Sequence, residues 1–340
     1  MTSLPAVQRF VSNTGVRIYR IPCEAFPNFI VYAYLLLEAG VPTLVDTGSG
    51  YGESNDHLFA GLDVVKDEFG EKITLEDIKR VIITHGHIDH FGGLQHVVER
   101  VSDVEVAIHG LDHRVLSSYE ERVVVATKAL NVYLQRAGVE PELQSSFMEM
   151  YSFSKKHVHS VRVHRTLSDG QELDGIRFIH TPGHCPGQVC LVLGDVILTA
   201  DHVLSRTTPH QSPESITAYM GLGHYLESLE KVRSTGGFDL ALGGHEEEIP
   251  NVYRRIDQIR ASHMRKLDRV QAMIREHDGP ATINDITKIM YSKVEGFHVL
   301  LALEEVGAHV EYLYQYGQLC VHNVDEVQRE DNPALRYAVV

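Results

Sequence analysis

The sequence has few cysteines and no long apolar run, and each absence excludes a class of protein. Its four cysteines, Cys23, Cys185, Cys190 and Cys320, are scattered and form no CxxC pair. A disulfide framework and a cysteine-built zinc site are therefore not expected. No apolar segment approaches the roughly 20 residues that a membrane-spanning helix needs. The N-terminal segment MTSLPAVQRF lacks the pattern of a secretory signal, so we expect a cytoplasmic protein with no membrane partner.

Positive charge is also scarce, because 31 lysines and arginines face 46 aspartates and glutamates, which gives a net charge of -15. An acidic surface repels phosphate backbones, so nucleic acid is the less favoured partner and a small molecule the favoured one. Histidine, by contrast, is abundant, and the 21 histidines cluster in short segments. Because histidine is the commonest metal ligand, these segments are candidates for a metal site.

The order of the predicted elements divides the chain into two parts. Up to residue 250, apolar runs rich in Val, Ile and Tyr alternate with amphipathic segments and predict an α/β fold for residues 1–250. Within it, residues 111–160 are polar and aromatic, and we expect a helical, lid-like insertion there. Residues 251–325 contain three segments of helical spacing and one strand, which predict a small, mostly helical, winged-helix-like domain. Residues 326–340 are polar and predict a loose tail.

The segment HGHIDH places four potential metal ligands within six residues, directly after the apolar strand RVIIT. In an extended turn His85 and His87 point the same way. Asp89 and His90 can then turn toward a second position a few ångströms away. Because imidazole nitrogens and carboxylate oxygens are common zinc ligands, the segment predicts ligands for two metal ions.

Three further apolar strands each lead into a potential ligand. The strand IRFIH runs into the tight turn TPGH and presents His184, the strand DVILTA delivers Asp201, and the strand FDLALGG delivers His245. Sites in α/β proteins usually form at the C-terminal ends of strands, so we expect these residues to converge with the first four. The sequence thus predicts a dinuclear centre of seven residues.

The motifs HGHIDH, TPGHCPG, LTAD and GGH, in this order and spacing over roughly residues 10–250, resemble the metallo-β-lactamase superfamily. The resemblance implies a four-layer αβ/βα sandwich with its site at one edge of two facing sheets. It also implies two metal ions bridged by Asp201. The first ion would be held by His85, His87 and His184, and the second by Asp89, His90 and His245.

Asp201 narrows the subgroup, because the commonest zinc β-lactamases carry cysteine at that position. A bridging aspartate with a complete HxHxDH motif is instead similar to the glyoxalase II, lactonase and nuclease branches, so β-lactamase activity is not expected. Asp46, in LVDTG, fits the family pattern as a residue that orients a ligand. Cys185, which follows His184, is interpreted as an inert small residue.

The ligand set and the resemblance together predict a hydrolase with two Zn²⁺ ions, although Mn²⁺ or Fe would also suit the carboxylate ligands. In the expected reaction, a metal-bridged hydroxide attacks the carbonyl carbon of a small-molecule thioester, ester or lactone. Asp89 is the predicted catalytic residue, since it can accept or pass the proton of the nucleophile. Arg206, His210 and Tyr151 are candidate substrate contacts, and Arg206 could bind a carboxylate or phosphate bidentately.

Two other functions remain open from the sequence. The winged-helix-like segment resembles a branch that includes an endoribonuclease, and the predicted helix at 251–275 carries seven lysines and arginines. A metal-dependent endoribonuclease or phosphodiesterase is therefore the alternative function. A metal-binding regulatory protein without turnover is the other, but the complete ligand set argues against it. The C-terminal segment is interpreted as structural, with a homodimer as an open arrangement.

Overall fold

The computed structural model describes residues 4–153 and 157–340, and within these ranges the strands lie in three sheets. The first sheet has seven strands in chain order, antiparallel from β1 to β4 and parallel from β4 to β7. Its strands are β1 Gln8–Val11, β2 Arg17–Phe26, β3 Phe29–Leu37, β4 Thr43–Val45, β5 Arg80–Ile83, β6 Glu105–His109 and β7 Arg165–Leu167.

The second sheet has five strands in the order β12-β11-β10-β9-β8, and all its pairs are antiparallel except β11 with β12. Its strands are β8 Glu172–Leu173, β9 Ile176–His180, β10 Val189–Leu193, β11 Val196–Ala200 and β12 Leu240–Gly243. The third sheet pairs β13 Leu319–Val321 with β14 Tyr337–Val339.

The helices surround the two large sheets and form the C-terminal part of the chain. In chain order they are α1 Ser54–Asp67, α2 Ile88–Phe91, α3 Leu94–Arg100, α4 His113–Ser117, α5 Tyr119–Arg136, α6 Pro141–Phe153, α7 Leu222–Thr235, α8 Val252–Glu276, α9 Ile283–Met290, α10 Phe297–Gln315 and α11 Val324–Arg329. Among the described residues, no helix combines the length and the apolar character needed to cross a membrane.

The two large sheets face each other, as the alternation of buried side chains along β10 illustrates. Val189 and Leu191 belong to an apolar cluster shared with the first sheet, which includes Ile18 and Ile82. Cys190 belongs instead to a cluster shared with the outer helices. Because successive side chains of a strand point to opposite faces, β10 is buried on both sides. With α1 and α3 packed on the outer face of the first sheet, the expected four-layer α/β architecture is confirmed.

The C-terminal helices share their apolar core with the outer face of the second sheet. Ile256 of α8 and Leu303 of α10 lie in the same cluster as Ile179 of β9 and Leu134 of α5. The helices α5 and α6, which fall in the predicted insertion at 111–160, therefore pack against the C-terminal helices as well as the sheet. Residues 154–156 of that insertion lie outside the described residues. The division of the chain at residue 250 stays a prediction.

The prediction of a loose tail over residues 326–340 differs from the structure. Tyr337 is buried, and its N–H and C=O bond the C=O and N–H of Ala281 at 2.8 and 3.0 Å. Its strand, β14, pairs with β13, and α11 lies between the two strands in the chain. The polar run around residues 325–333 hides the short apolar segment after it, so composition alone misses the strand.

Candidate metal centre

The first four predicted ligands follow β5 and occupy one turn and the short helix α2. His85 and His90 are fully buried, whereas His87 and Asp89 keep some exposure to solvent. His85 Nε2 lies 3.1 Å from His87 Nδ1. On the other side of the turn, His90 Nε2 lies 3.6 Å from Asp89 Oδ2. The turn and the helix therefore present two separate pairs of ligand atoms, as the spacing of HGHIDH predicts.

The other three predicted ligands come from the second sheet. His184 follows Gly183, whose φ of +129° favours glycine and where a Cβ would lie 2.4 Å from the backbone of Tyr225. Asp201 follows Ala200, a non-glycine residue at φ 45°, at an irregularity in the pairing of β11 with β12. Such an unfavourable backbone conformation is typical of functional sites, and here it turns Asp201 out of the strand.

A glycine gives His245 and its neighbours the space they need. A Cβ at Gly244, directly before His245, would lie 2.5 Å from Asp201 Oδ1 and 2.6 Å from His90 Cε1. Real Cβ atoms do not approach that closely, so a larger residue would displace groups of the centre. Only a glycine fits where the strand backbone passes this close to two of the candidate ligands.

The structure brings all seven predicted residues together in two groups that share Asp201. Within each group the candidate ligand atoms lie within 4.8 Å of one another. The first group is His85, His87, His184 and Asp201, and the second is Asp89, His90, Asp201 and His245. This division is the one that the family resemblance implies. That the groups bind metal ions stays a prediction, which the donor atoms below support.

The spacing and hydrogen bonding of the donor atoms fit metal ions. Two ligand atoms that are each about 2.1 Å from a tetrahedral ion lie about 3.4 Å apart. Asp201 Oδ2 lies 3.6 Å from His184 Nε2 and 3.3 Å from His245 Nε2. Within the described ranges, the Nε2 atoms of His90, His184 and His245 are buried without a hydrogen-bond partner, as is Asp201 Oδ1. Buried polar atoms rarely lack partners, so their convergence indicates a site for cations.

The opposite ring nitrogen of each of three histidines is held by a hydrogen-bond acceptor. His184 Nδ1 donates to the His210 carbonyl at 2.7 Å, and His245 Nδ1 donates to the Ile30 carbonyl at 2.6 Å. His90 Nδ1 donates to Asp46 Oδ2 at 2.8 Å. A proton on Nδ1 leaves a lone pair on Nε2, which is the arrangement that orients histidines toward metals.

Asp46 links the first sheet to two candidate ligands. It follows β4 at φ 59° and is buried. Besides His90, its carboxylate accepts from the Thr84 N–H and hydroxyl, each at 2.8 Å. The Thr84 oxygen in turn lies 3.0 Å from His85 Nδ1. The position of Asp46 agrees with its predicted role of orienting a ligand, and Thr84 extends that role to His85.

Burial lowers the pKa values of the histidines in the first group, whereas neighbouring carboxylates raise those of His90 and His245 in the second. Burial lowers the pKa of His87 to about 3, and the adjacent His184 adds to the effect. Burial opposes protonation of His245 too, but Asp201 and Asp89 raise its pKa to about 10. Burial raises the pKa of Asp89, but His90 and His245 more than offset it and lower that pKa to about 2. The first group is thus rich in neutral imidazole and the second in carboxylate charge.

Asp112 connects the two ligand-bearing loops and was not predicted from the sequence. It is buried, and its Oδ2 accepts from the Gly86 N–H at 2.9 Å and from the Cys185 thiol at 3.3 Å. Gly86 lies between two candidate ligands, and Cys185 follows a third. Asp112 follows β6, the parallel neighbour of β5, but no motif in the sequence distinguishes it from other polar residues. Cys185 is thereby engaged as a hydrogen-bond donor.

The three predicted substrate contacts lie in different surroundings. The Arg206 side chain is 70% exposed and pairs with Glu247 at 3.1 Å. His210 directs its side chain toward Glu304, at 3.2 Å, and its main-chain carbonyl accepts from His184 Nδ1 at 2.7 Å. Tyr151 is half-buried against the apolar core, and burial raises its pKa to about 12. Substrate contact by these side chains stays a prediction.

Aromatic rings that the sequence analysis did not select form a rim beside His245. The Phe29 ring centroid lies 4.6 Å from the His245 ring, and Phe29 is 45% exposed. From Phe29 the contacts continue to Phe26, at 6.4 Å, and from Phe26 to Tyr51, at 6.1 Å. Tyr51 in turn lies 5.6 Å from His157. These rings offer apolar surface at the edge of the candidate metal centre.

Comparison with known proteins places this arrangement among related chains. A family model described as the metallo-beta-lactamase superfamily matches residues 27–272. The chain is 22% identical to the probable metallo-hydrolase YqjP of Bacillus subtilis over 89% of this chain and 93% of that protein. It is 23% identical to an atrochrysone carboxyl ACP thioesterase of Aspergillus chevalieri over 86% and 77% of the two chains. It is 26% identical to an N-acyl homoserine lactonase of Bacillus sp over 58% and 73%.

Solved structures share the fold over almost the whole chain. A metallo-beta-lactamase family protein from Thermus thermophilus has a TM-score of 0.75 and 25% identity, covering 95% of this chain and 98% of that one. A beta-lactamase domain protein from Burkholderia ambifaria has a TM-score of 0.73 and 24% identity, covering 100% and 97%. The similarity therefore extends beyond the two large sheets to the C-terminal helices.

Proposed function

Because the chain belongs to the metallo-beta-lactamase superfamily and is a metal-dependent hydrolase, we propose that it binds two metal ions, zinc by preference, and cleaves a small-molecule thioester, ester or lactone. One observation carries the proposal: seven buried or half-buried His and Asp side chains form two groups of four that share Asp201. A carboxylate common to both groups favours two adjacent ions over a single one. The histidine-rich first group favours zinc, while manganese or iron would also suit the carboxylates of the second.

The residues of the centre would have different roles in hydrolysis. The ions, held by these residues, would acidify a water molecule and polarise the substrate carbonyl. His90, His184 and His245 are held by their Nδ1–H bonds, which keep the Nε2 atoms directed into the site. Asp89 Oδ2 lies beside His245 Nε2 at 3.3 Å, so the Asp89 carboxylate lies within the second group, where it would take the proton of the attacking water. We therefore assign proton transfer to Asp89.

Several observations support an acyl substrate of small size. The relatives at low identity include a thioesterase and a lactonase, both of which act on activated acyl groups. The aromatic rim from Phe29 to Tyr51 lies next to the centre and would pack against an apolar acyl group. The net charge of -15 disfavours a polyanionic substrate.

The alternative, an endoribonuclease or phosphodiesterase, rests on the seven basic residues of α8. Several of these side chains have partners within the protein. Arg255 donates to the Leu204, Arg206 and Thr207 carbonyls at 2.6 to 2.8 Å. Lys266 Nζ lies 2.5 Å from a Glu305 oxygen, and Arg260 lies 3.5 Å from Glu230. Basic groups used in this way are less available to a phosphate backbone, so we rank this function second.

The proposal is tested by metal content together with turnover of a panel of acyl-glutathione and acyl-CoA thioesters, homoserine lactones and single-stranded RNA. The variant is Asp89→Ala, and the matched control is Asp63→Ala, which removes an exposed acid on α1. We expect two ions per chain in the wild type and acyl cleavage that Asp89→Ala abolishes and Asp63→Ala preserves. RNA cleavage without ester turnover would promote the alternative function. Fewer than one ion per chain would rule out the dinuclear centre.

Three further assignments extend the proposal. We propose a cytoplasmic enzyme that acts on a small molecule, with no nucleic-acid or membrane partner. We interpret α8, α9 and α10 with the β13–β14 pair as a winged-helix-like unit, since three helices precede a two-stranded sheet. A homodimer remains the arrangement to test, by light scattering of the purified chain.

A further inference from the structure

The C-terminal helix α10 reaches the candidate metal centre through one loop, residues 209–212. This loop supplies the His210 carbonyl that accepts the Nδ1–H of His184 at 2.7 Å. The position of that carbonyl decides which way the His184 ring faces. The loop is therefore part of the support of the first group of ligands, although it lies eight residues after Asp201 in the chain.

Two adjacent carboxylates of α10 hold this loop. Glu305 Oε2 accepts from the Gln211 N–H at 2.9 Å and lies 3.6 Å from His210 Nδ1. Glu304 Oε2 accepts from the Ser212 hydroxyl at 2.7 Å and lies 3.2 Å from His210 Nε2. The acceptors of both bonds come from one turn of α10. The helix thus fixes the loop beside the His210 carbonyl.

Glu305 is itself fixed from α8. It is buried, and Lys266 Nζ lies 2.5 Å from its Oε1. Burial raises the pKa of Glu305, but Lys266 and the nearby histidines lower it to about 2. A buried carboxylate with a cation on one oxygen and a backbone N–H on the other has a defined position and a permanent charge.

The same region contains another set of potential metal ligands. The hydrogen bonds that these residues make indicate whether the set binds a metal ion or has a structural role. Ligand atoms of His263, Glu305 and His309 lie within 4.8 Å of one another. Both Glu305 oxygens already accept from nitrogen donors, however, and His309 Nδ1 donates to the Glu305 carbonyl at 2.6 Å. His263 Nδ1 and His309 Nε2 lie 3.1 Å apart and bond each other. This set is a hydrogen-bonded network that anchors α10 to α8.

We propose that Glu305 is a positioning residue of the metal centre, which acts through the 209–212 loop to hold His184, so that the C-terminal helices complete the site. The inference rests on the proposed metal centre. Groups that orient a ligand histidine typically contribute about 10- to 100-fold to metal affinity or activity. Loss of Glu305 frees the Gln211 N–H and one side of His210, so that of the two carboxylates only Glu304 still holds the loop and the His210 carbonyl is less firmly fixed against His184.

The test compares Glu305→Ala with Glu311→Ala in the full-length chain. Glu311 is a matched control, because it is a half-buried acid on the same helix and its bonding partner, Ser215, lies outside the 209–212 loop. Affinity for Zn²⁺ is measured by competition with a chromophoric chelator, and the visible spectrum of the Co²⁺-loaded protein reports ligand geometry. Glu305→Gln, which keeps an acceptor for the Gln211 N–H, covers the case in which Glu305→Ala does not fold.

We expect Glu305→Ala to lower the affinity for one of the two Zn²⁺ ions by about tenfold or more and to change the visible spectrum of the Co²⁺-loaded protein. Glu305→Gln should have a smaller effect, and Glu311→Ala none. If the two alanine variants change affinity and spectrum equally, or if neither does, Glu305 has only a general structural role and the inference is overturned. If the wild-type chain binds no metal, the proposed function is wrong. Measurement of the wild-type protein alone therefore distinguishes failure of the proposed function from failure of the inference about Glu305.

Discussion

Replacing Asp112 with alanine should weaken both the fold and the metal centre, because one carboxylate joins the two loops that carry His85, His87 and His184. The side chain is buried, and its Oδ2 accepts from the Gly86 N–H at 2.9 Å and from the Cys185 thiol at 3.3 Å. Gly187 packs directly against it, since a Cβ there would lie 2.6 Å from Asp112 Cγ. No residue of alanine's size can replace these acceptor atoms.

The expected loss in the free energy of unfolding follows from the hydrogen-bond donors that the substitution leaves without an acceptor. The Gly86 N–H and the Cys185 thiol both donate to the Asp112 carboxylate. At about 1–3 kcal/mol for each buried donor left unpaired, Asp112→Ala should lower the free energy of unfolding by about 2–6 kcal/mol. Metal affinity should fall about 10- to 100-fold, as for other residues that orient ligands. Asp112→Asn keeps one oxygen acceptor and should show a smaller loss of both.

Urea unfolding followed by circular dichroism measures the first effect on metal-free protein, and chelator competition measures the second. Asp63→Ala, an exposed position on α1, serves as the control and should lie within about 0.5 kcal/mol of the wild type. If Asp112→Ala changes the free energy of unfolding by less than about 1 kcal/mol and leaves metal affinity unchanged, the two loops do not depend on this carboxylate and the argument is wrong.

Two further predictions concern the centre itself. Gly244→Ala should abolish metal binding and lower the free energy of unfolding by about 1–3 kcal/mol through overpacking, because the new Cβ would overlap Asp201 and His90. Gly223→Ala, where the nearest heavy atom lies 4.0 Å away, is the control, and equal metal content in both variants would contradict the steric argument. Chelation should lower the melting temperature in calorimetry and Zn²⁺ should restore it, since an ion at 100 times its Kd stabilises the native state by about 2.7 kcal/mol. An unchanged melting temperature would argue against ions in the native protein.

The ligand set could be predicted from the sequence because each of its members follows an apolar strand. All seven side chains are imidazoles or carboxylates, and they fall in the four short motifs HGHIDH, TPGHCPG, LTAD and GGH. The residues that orient the ligands were harder to find. Asp46 was anticipated from the family pattern, but Thr84 and Asp112 look like ordinary polar residues in the chain. Their roles depend on hydrogen bonds to residues 26 to 73 positions away.

In the C-terminal part, too, the sequence predicts the helices but not the contacts between distant residues. Its helices have clear amphipathic spacing, since Ile256, Ile259 and Leu267 of α8 are all buried as the period predicts. Nothing in the sequence indicates, however, that Glu305 and Lys266 meet, or that Tyr337 pairs with Ala281. Composition favoured a free tail and an appended domain. The structure shows that α5, α8 and α10 share one apolar core with the second sheet, and the division of the chain into domains stays a prediction.

Local chemistry and periodicity therefore determine which residues are candidate ligands, which segments are strands and helices, and which family the chain resembles, because those properties depend on neighbours within a few positions. The hydrogen bonds that Thr84 and Asp112 make beside the ligands, the tautomers of the imidazoles and the support of His184 by a distant helix were decided only by the tertiary structure. Those features depend on ångström-scale distances between segments that are far apart in the chain, and packing and hydrogen-bond geometry alone set such distances.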